Sequence, residues 1–277
     1  MSDILVGIDF SKGSLNALKF AVNMANDLDV SVMMLWIDKP HNPDNIFDDS
    51  SNYREEVHNR FAELIEEFAD RIPKERLKYK IRSGKVYDEI SNFAKINSSI
   101  CIVTGTHGIS GYEELWIGSN ANRIVSTAPC PVITIRQDYH VPEKLGTIVL
   151  PIDSTPETME KAAIAIKIAK ASKAKVVLLR LYTSNVSVFK RKVNQYADVV
   201  VEDMKAEGID YEVMDKLTTN LTADLLGVID KVEADLLVIM TEQESSMANI
   251  MLGPYAQQMV NNSPLPVLSV HVGDAWE

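Results

Sequence analysis

Cysteine is scarce in this chain. The two present, Cys101 and Cys130, stand outside any CxxC spacing, so neither a disulfide framework nor a thiolate zinc site is indicated, and both are expected as buried, space-filling thiols. Long apolar runs are missing as well. No segment approaches the roughly 20 apolar residues that a membrane-spanning helix needs. Basic charge is in the minority, with 28 Lys and Arg against 39 Asp and Glu and a net charge of −11. That balance opposes long-range attraction to phosphate backbones and anionic bilayers, while leaving a local anion pocket open. Nucleic acid and membrane are therefore not expected as partners. The opening Met1-Ser2-Asp3 runs straight into an apolar strand without the basic lead of an export signal, and a cytoplasmic location is expected. Two well-known phosphate motifs are absent: no G-x-x-x-x-G-K-[ST] occurs, and no G-x-G-x-x-G follows the first strand. P-loop NTPases and Rossmann dehydrogenases are thereby unsupported.

What is present is a repeat. At 277 residues the chain exceeds ordinary single-domain size, so two cores are expected. The opening ILVGIDFS (Ile4 to Ser11) returns as IVLPIDST (Ile148 to Thr155), setting Asp9 against Asp153 at an offset of 144 residues. Later, CPVITI (Cys130 to Ile135) returns as LPVLSV (Leu265 to Val270), and Gly118 faces Gly253, both at an offset of 135. Two tandem domains follow, 1–137 and 146–277, joined by the Pro-, Gly- and charge-rich DYHVPEKLG (Asp138 to Gly146). The second copy is shorter chiefly because the first carries KPHNPDNIFDDSSN (Lys39 to Asn52), which reads as a mobile surface loop.

Within the first copy, five β-branched runs alternate with segments of helical period: Ile4 to Asp9, Val30 to Ile37, Leu77 to Arg82, Ser99 to Gly105 and Pro131 to Arg136. Such alternation predicts a parallel sheet with crossover helices. Leu15, Leu18, Ala21, Val22, Ala25 and Leu28 mark the buried stripe of the first helix. The acidic run Glu63, Glu66, Glu67 reads as a solvated helix face.

In open parallel sheets, ligands gather at the carboxyl ends of the strands. Two places there carry signal. Asp9 ends the first strand, where a carboxylate can accept from ribose or adenine groups or cap the following helix. After strand four comes GTHGISGYEELWIGSNANRI (Gly105 to Ile124), with Gly105, Gly108, Gly118 and Ser119 spaced as G-x2-G-x9-G-S. Glycines let backbone amides close on an anion, and a helix starting near Ser119 would aim its unpaired N–H groups and positive dipole end outward. For a lone glycine pair the plainer reading is a turn with Ser119 as N-cap. The full spacing opposite Asp9 favours a phosphate loop. His107 lies in this loop without a serine or cysteine in catalytic pattern, and is not expected to act as a base. The methionines Met240, Met247 and Met251 are expected in packing, not metal binding.

Asp9, the Gly105-x2-Gly108-x9-Gly118-Ser119 loop and the closing CPVITI together resemble the universal stress protein family over nearly the whole chain. The resemblance implies an α/β fold of two doubly wound five-stranded parallel sheets, strand order 3-2-1-4-5, of the adenine-nucleotide-hydrolase type. It also implies ATP or AMP at the carboxyl edge of the first domain, with magnesium as an allowed companion that no acidic cluster demands. Carried over, Ile8 and Asp9 would meet the adenosine, the backbone at Trp36 the adenine, and Thr104 and Gly105 the ribose side. Gly108, Gly118, Ser119 and Asn120 would surround the phosphates. Trp36 departs from the small aliphatic residue expected there. The second copy reads MTEQESSMANIMLGPYAQQMV (Met240 to Val260): Thr241 and Glu244 take the places of Gly105 and Gly108, and Pro254 that of Ser119. This half is expected to bind no ATP, and Asp153 to serve as a cap or another ligand's partner.

No nucleophile and base are assembled, so a nucleotide-binding regulator is expected before an enzyme. The alternatives are slow ATP hydrolysis in the same pocket and a purely structural interaction protein. Related hydrolases carry an SGGxDS-like loop after strand one, where this chain has DFSKGS (Asp9 to Ser14). The family resemblance further suggests that PVITIR and LPVLSV meet across a two-fold axis as an intramolecular pseudo-dimer, with a homodimer of four domains as a further step.

Overall fold

The structure is a computed structural model describing residues 3–38, 50–106, 118–241, 243–246 and 249–274, with backbone alone at 50–52, 243–246 and 249–251. The N-terminal half runs β1 (Asp3–Gly7), α1 (Lys12–Leu28), β2 (Ser31–Asp38), α2 (Ser50–Glu67), β3 (Leu77–Ser83), α3 (Val86–Asn97), β4 (Cys101–Gly105), α4 (Ser119–Thr127) and β5 (Val132–Ile135). The C-terminal half repeats it as β6 (Thr147–Ile152), α5 (Thr158–Ser172), β7 (Lys175–Tyr182), α6 (Ser187–Ala206), β8 (Tyr211–Leu217), α7 (Leu221–Lys231) and β9 (Leu236–Met240). It then adds a hairpin of β10 (Gln243–Ser246) and β11 (Asn249–Leu252) before α8 (Pro254–Asn262) and β12 (Val267–Val270).

All five first-half strands lie where β-branched residues alternate with helical segments. Each half is a parallel sheet of order 3-2-1-4-5, and β5 pairs antiparallel with β12, giving one ten-stranded sheet. In that pairing Ile133 faces Leu268 and Thr134 faces Val267. Two strands that would otherwise expose unpaired amides and carbonyls thus satisfy one another.

The helices cover both faces. Ile4, Val6, Val32, Met34 and Phe61 belong to one buried cluster with α1, α2, α5 and α6, and Leu5, Leu35, Ile102 and Val132 to another with α3, α4, α7 and α8. The stripe on α1 is as expected, with Leu18, Ala21, Val22 and Ala25 fully buried. Glu63, Glu66 and Glu67 are exposed. The expected loop from Lys39 to Asn52 needs correction at one end. Residues 39–49 lie outside the described residues, but Ser50, Ser51 and Asn52 already belong to α2, since small polar residues suit a helix N-terminus as well as a loop.

The ends of the fifth strands reach across the junction in matching ways. Arg136 Nη1 donates to Asn261 O at the end of α8 (3.4 Å), and His271, 135 residues later, places Nε2 2.6 Å from Val125 O in α4. Asn16 of α1 donates to Gln137 O (3.0 Å) and Tyr139 O (2.9 Å), while Glu160, at the matching place in α5, accepts from Gly273 N (2.6 Å). His271 is 4% exposed, and its other nitrogen lies 3.4 Å from the Asp274 carboxylate. A carbonyl facing Nε2 requires that nitrogen to carry the proton. Replacing His271 with Ala leaves Val125 O buried without its donor. Urea denaturation is expected to show a loss of about 1–3 kcal/mol.

Candidate functional site

The carboxyl edge of the first sheet is organised by a turn at Asp9. Its Oδ1 accepts the Ser11 amide (3.0 Å), and Ser11 in turn caps α1 by accepting the Ser14 amide (3.2 Å). Asp9 therefore shapes the turn and leaves the N-cap to Ser11. Phe10 between them takes a left-handed φ of 60°, an uncommon conformation for an aromatic residue. Its ring packs on Phe61 (centroids 5.1 Å apart), with the Arg60 guanidinium 4.8 Å from the ring centroid.

Gly105 ends β4 directly beneath the first turn of α1. A Cβ there would lie 2.8 Å from the Gly13 carbonyl carbon, 3.0 Å from its oxygen and 3.1 Å from Ser14 N. All three are backbone atoms that cannot swing aside. Beyond Gly105, Thr106 N donates to Ile135 O (2.9 Å), and Thr106 O accepts from Gly118 N (2.7 Å), so residues 106 and 118 are joined by a backbone bond. Gly118, and not Ser119, is the N-cap of α4, with φ −59° and ψ 149°. Ser119 is the first helical residue. Ser119 and Asn120 are exposed, and the amides of Ser119, Asn120 and Ala121 have no hydrogen-bond partner among the described residues. Unpaired donors at the positive end of a helix dipole are of the chemistry that suits an anion.

The edge thus brings Asp9, Gly105, Gly118, Ser119 and Asn120 around the ends of β1 and β4. Ile8 buries its side chain in the core and spends its amide on Leu35 O (2.9 Å). Thr104 is buried, with Oγ1 3.4 Å from Gly105 O. Trp36 is 7% exposed, and its indole packs 5.7 Å from the Tyr53 ring within the α1 and α2 cluster. Gly108 and His107 lie outside the described residues. Sequence reasoning missed Gly13, whose only signal was a second glycine that gains meaning once paired with Gly105. It also missed Arg60, which nothing in its local pattern distinguishes from a solvated helix residue.

In the second half, the replacement of the loop glycines must be moved by one residue. Gly105 pairs with Ile135, and Met240 pairs with Val270 in the matching register; Thr106 N and Thr241 N donate to those same two carbonyls. Met240, not Thr241, therefore stands where Gly105 does, and Gln243, not Glu244, falls at the Gly108 place. The apolar run of β9 continues through Met240, which hides the boundary in the sequence. Gly13 is replaced as well, by Glu157. The two helices end in register, on left-handed Asp29 and Lys173, yet α1 begins at Lys12 and α5 only at Thr158. Met240 thus places a side chain where Gly105 has none, and α5 starts two residues later than the repeat of α1 would. Asp153 keeps the same turn as Asp9, accepting the Thr155 amide at 2.8 Å.

Two polar groups sit buried on the sheet-facing side of α5. Thr158 is 0% exposed and its hydroxyl has no partner. Lys161, at the place held by Ala17 in the first half, is 3% exposed and makes no hydrogen bond or ion pair among the described residues. Burial pushes its ammonium below the ordinary value of 10.5, and the Asp153 carboxylate only partly opposes this. Tyr255, on the first turn of α8, has its hydroxyl pushed up by burial and by the same carboxylate. Replacing Lys161 with Met is expected to stabilise the chain by about 1–4 kcal/mol at neutral pH, since an unpaired buried charge gives way to packing. The sign with pH follows from the lowered value. Between the folded and unfolded midpoints the unfolded chain binds more protons, so native stability rises with pH through that window and levels off above 10.5. Thermal melts of both chains should therefore converge as pH approaches that value.

Cys101 and Cys130 are buried free thiols, both pushed up by burial, Cys130 to about 12. Among the described residues no cluster of three or more His, Cys, Asp or Glu could hold a metal, and no helix is long and apolar enough to cross a membrane. The sequence profile of the universal stress protein family matches residues 1–136 and again 144–271. Universal stress protein MJ0531 of Methanocaldococcus jannaschii is 27% identical over 143 residues, covering 48% of this chain and 81% of that protein. A universal stress protein structure from Archaeoglobus fulgidus superposes with a TM-score of 0.73 at 18% identity, covering 98% of each chain. A universal stress protein solved in complex with cAMP is 25% identical, covering 47% of this chain and 99% of that one with a TM-score of 0.37. With both halves matched in turn, the chain belongs to the universal stress protein family as a tandem two-domain member.

Proposed function

We propose that the first domain, residues 1–137, binds an adenine nucleotide, ATP or AMP, and that the chain acts as a nucleotide-responsive regulator in the stress response. The observation that carries this reading is the set of unpaired amides opening α4, beside the Asp9 turn and the glycine contact that draws α1 over β4. The Ser119 hydroxyl and the amides of Ser119, Asn120 and Ala121 would take the phosphates. Asp9 would face the adenosine, with the backbone near Trp36 and Thr104 completing the nucleoside side. Gly108 would extend the same cradle. Magnesium, if carried, would come with the phosphates, since no described carboxylate group is gathered to hold it.

The second domain, residues 146–277, takes no part in nucleotide binding on this reading. Pro254 supplies no amide where Ser119 does, and Met240 removes the glycine contact. Its contribution is to pair β12 with β5 as an intramolecular pseudo-dimer and to hold α4 through His271. On this reading the protein acts in the cytoplasm and holds its nucleotide without turning it over.

Mass spectrometry of the small molecules released from freshly purified full-length protein tests the reading. An adenine nucleotide in amounts comparable to the chain is expected. Release of none, together with no calorimetric heat on adding ATP or AMP, would overturn it.

A further inference from the structure

The second domain carries a polar constellation that the nucleotide reading does not use. Thr158 and Lys161 stand three residues apart on one face of α5, so their side chains lie one above the other. Because side chains on a helix lean toward its N-terminus, Lys161 points back toward the carboxyl edge, where Asp153 follows β6. Thr158 Oγ1 is wholly buried and unpartnered, and Lys161, 3% exposed, makes no hydrogen bond or ion pair among the described residues. The matching positions of the first domain behave differently. Ser14 Oγ donates to Ser11 O (3.0 Å) and accepts from Asp9 N (3.3 Å), and Ala17 offers no polar atom at all.

A packing role accounts for neither group. Alanine or methionine would fill the Lys161 position without desolvation cost, and a valine would fill that of Thr158. A wholly buried hydroxyl and the ammonium of a 3%-exposed lysine, within one helical turn and both without a partner among the described residues, call for a compensating partner. Asp153 is within electrostatic reach of Lys161 but makes no ion pair with it, and its Oδ1 is already engaged by Thr155. The missing partner must therefore present acceptor oxygens to an ammonium and a hydroxyl together.

We infer that the carboxyl edge of the second domain is a separate ligand site for a compact oxyanion group, a carboxylate or a phosphate of a small molecule, held by Lys161 and Thr158. The site does not depend on nucleotide binding by the first domain. Met240 carries a side chain where Gly105 has none, and α5 starts two residues later than the repeat of α1 would. The domain has exchanged a site built on main-chain amides for one built on a buried lysine.

Lysine ε-methylene NMR on the full-length chain tests this at the residue itself, with the Lys161 signal identified by its loss in Lys161→Met. Inorganic phosphate and acetate are titrated separately, against sodium chloride at matched ionic strength. A saturable shift of the Lys161 signal, with its titration midpoint rising by about one pH unit or more as an anion restores the charged form, is the expected result. Response to phosphate alone or to acetate alone assigns the group. A Lys161 signal unmoved by both anions, or moved equally by chloride, would overturn the site, and neither result bears on whether the first domain binds nucleotide.

Discussion

Gly105→Ala is expected to lower the stability of the whole chain by about 1–3 kcal/mol and to abolish high-affinity nucleotide binding together with it. The added methyl would meet the Gly13 carbonyl carbon at 2.8 Å, and every near neighbour is main chain. Relief requires the first turn of α1 to lift from β4. The second domain shows what that relief looks like, because Met240 occupies the matching place and α5 begins at Thr158, two residues later than the repeat of α1 would begin. Lifting α1 also moves Ser11 and Ser14, which hold the Asp9 turn, so stability and binding should fall as a pair. Thermal melting and calorimetric titration with ATP on the same preparation check this. Unchanged melting would show that the two glycines do not govern the approach of helix to strand.

Ser119→Pro is expected to do the opposite: to weaken ATP and AMP binding by roughly 10- to 150-fold, the equivalent of about 1.5–3 kcal/mol for a lost bond to a charged phosphate, while leaving the fold intact. Proline removes both the amide and the hydroxyl at the first helical position, yet its fixed φ suits that position. The chain itself supplies the control. Pro254 opens α8 after a Gly253 N-cap of φ −56° and ψ 150°, close to the −59° and 149° of Gly118. Backbone geometry is therefore compatible with proline, and a drop in affinity without a drop in melting temperature isolates the donor from the scaffold. Equal affinity in both chains would mean that the α4 amides do not contact the nucleotide.

The division of information between sequence and structure follows the physics of each part. Strand positions, the α1 stripe and the repeat itself were readable because burial on both faces of a parallel sheet writes continuous apolar runs, and a helix beside it writes a period of 3.6. Gly105 was readable as a special position because only glycine serves at such a backbone contact. What could not be read was pairwise. The significance of Gly13 depends on Gly105 lying beneath it, 92 positions away along the chain. Met240 was misplaced by one residue because β9 ends in an apolar side chain, and only the pairing with Val270 sets the register. Lys161 lay unnoticed on a helix rich in lysine. Its difference from Lys167 or Lys170 is burial, which depends on which face of α5 meets the sheet. His271 gains its role only when β12 is laid beside β5 and brought against α4.

The asymmetry between the two domains is most directly tested by the stoichiometry of ATP binding to the full-length chain, measured by isothermal titration calorimetry on nucleotide-stripped protein. One ATP per chain, with affinity weakened in Ser119→Pro and unchanged in Lys161→Met, is the expected result. Two per chain, or one whose affinity is the same in Ser119→Pro, would contradict it.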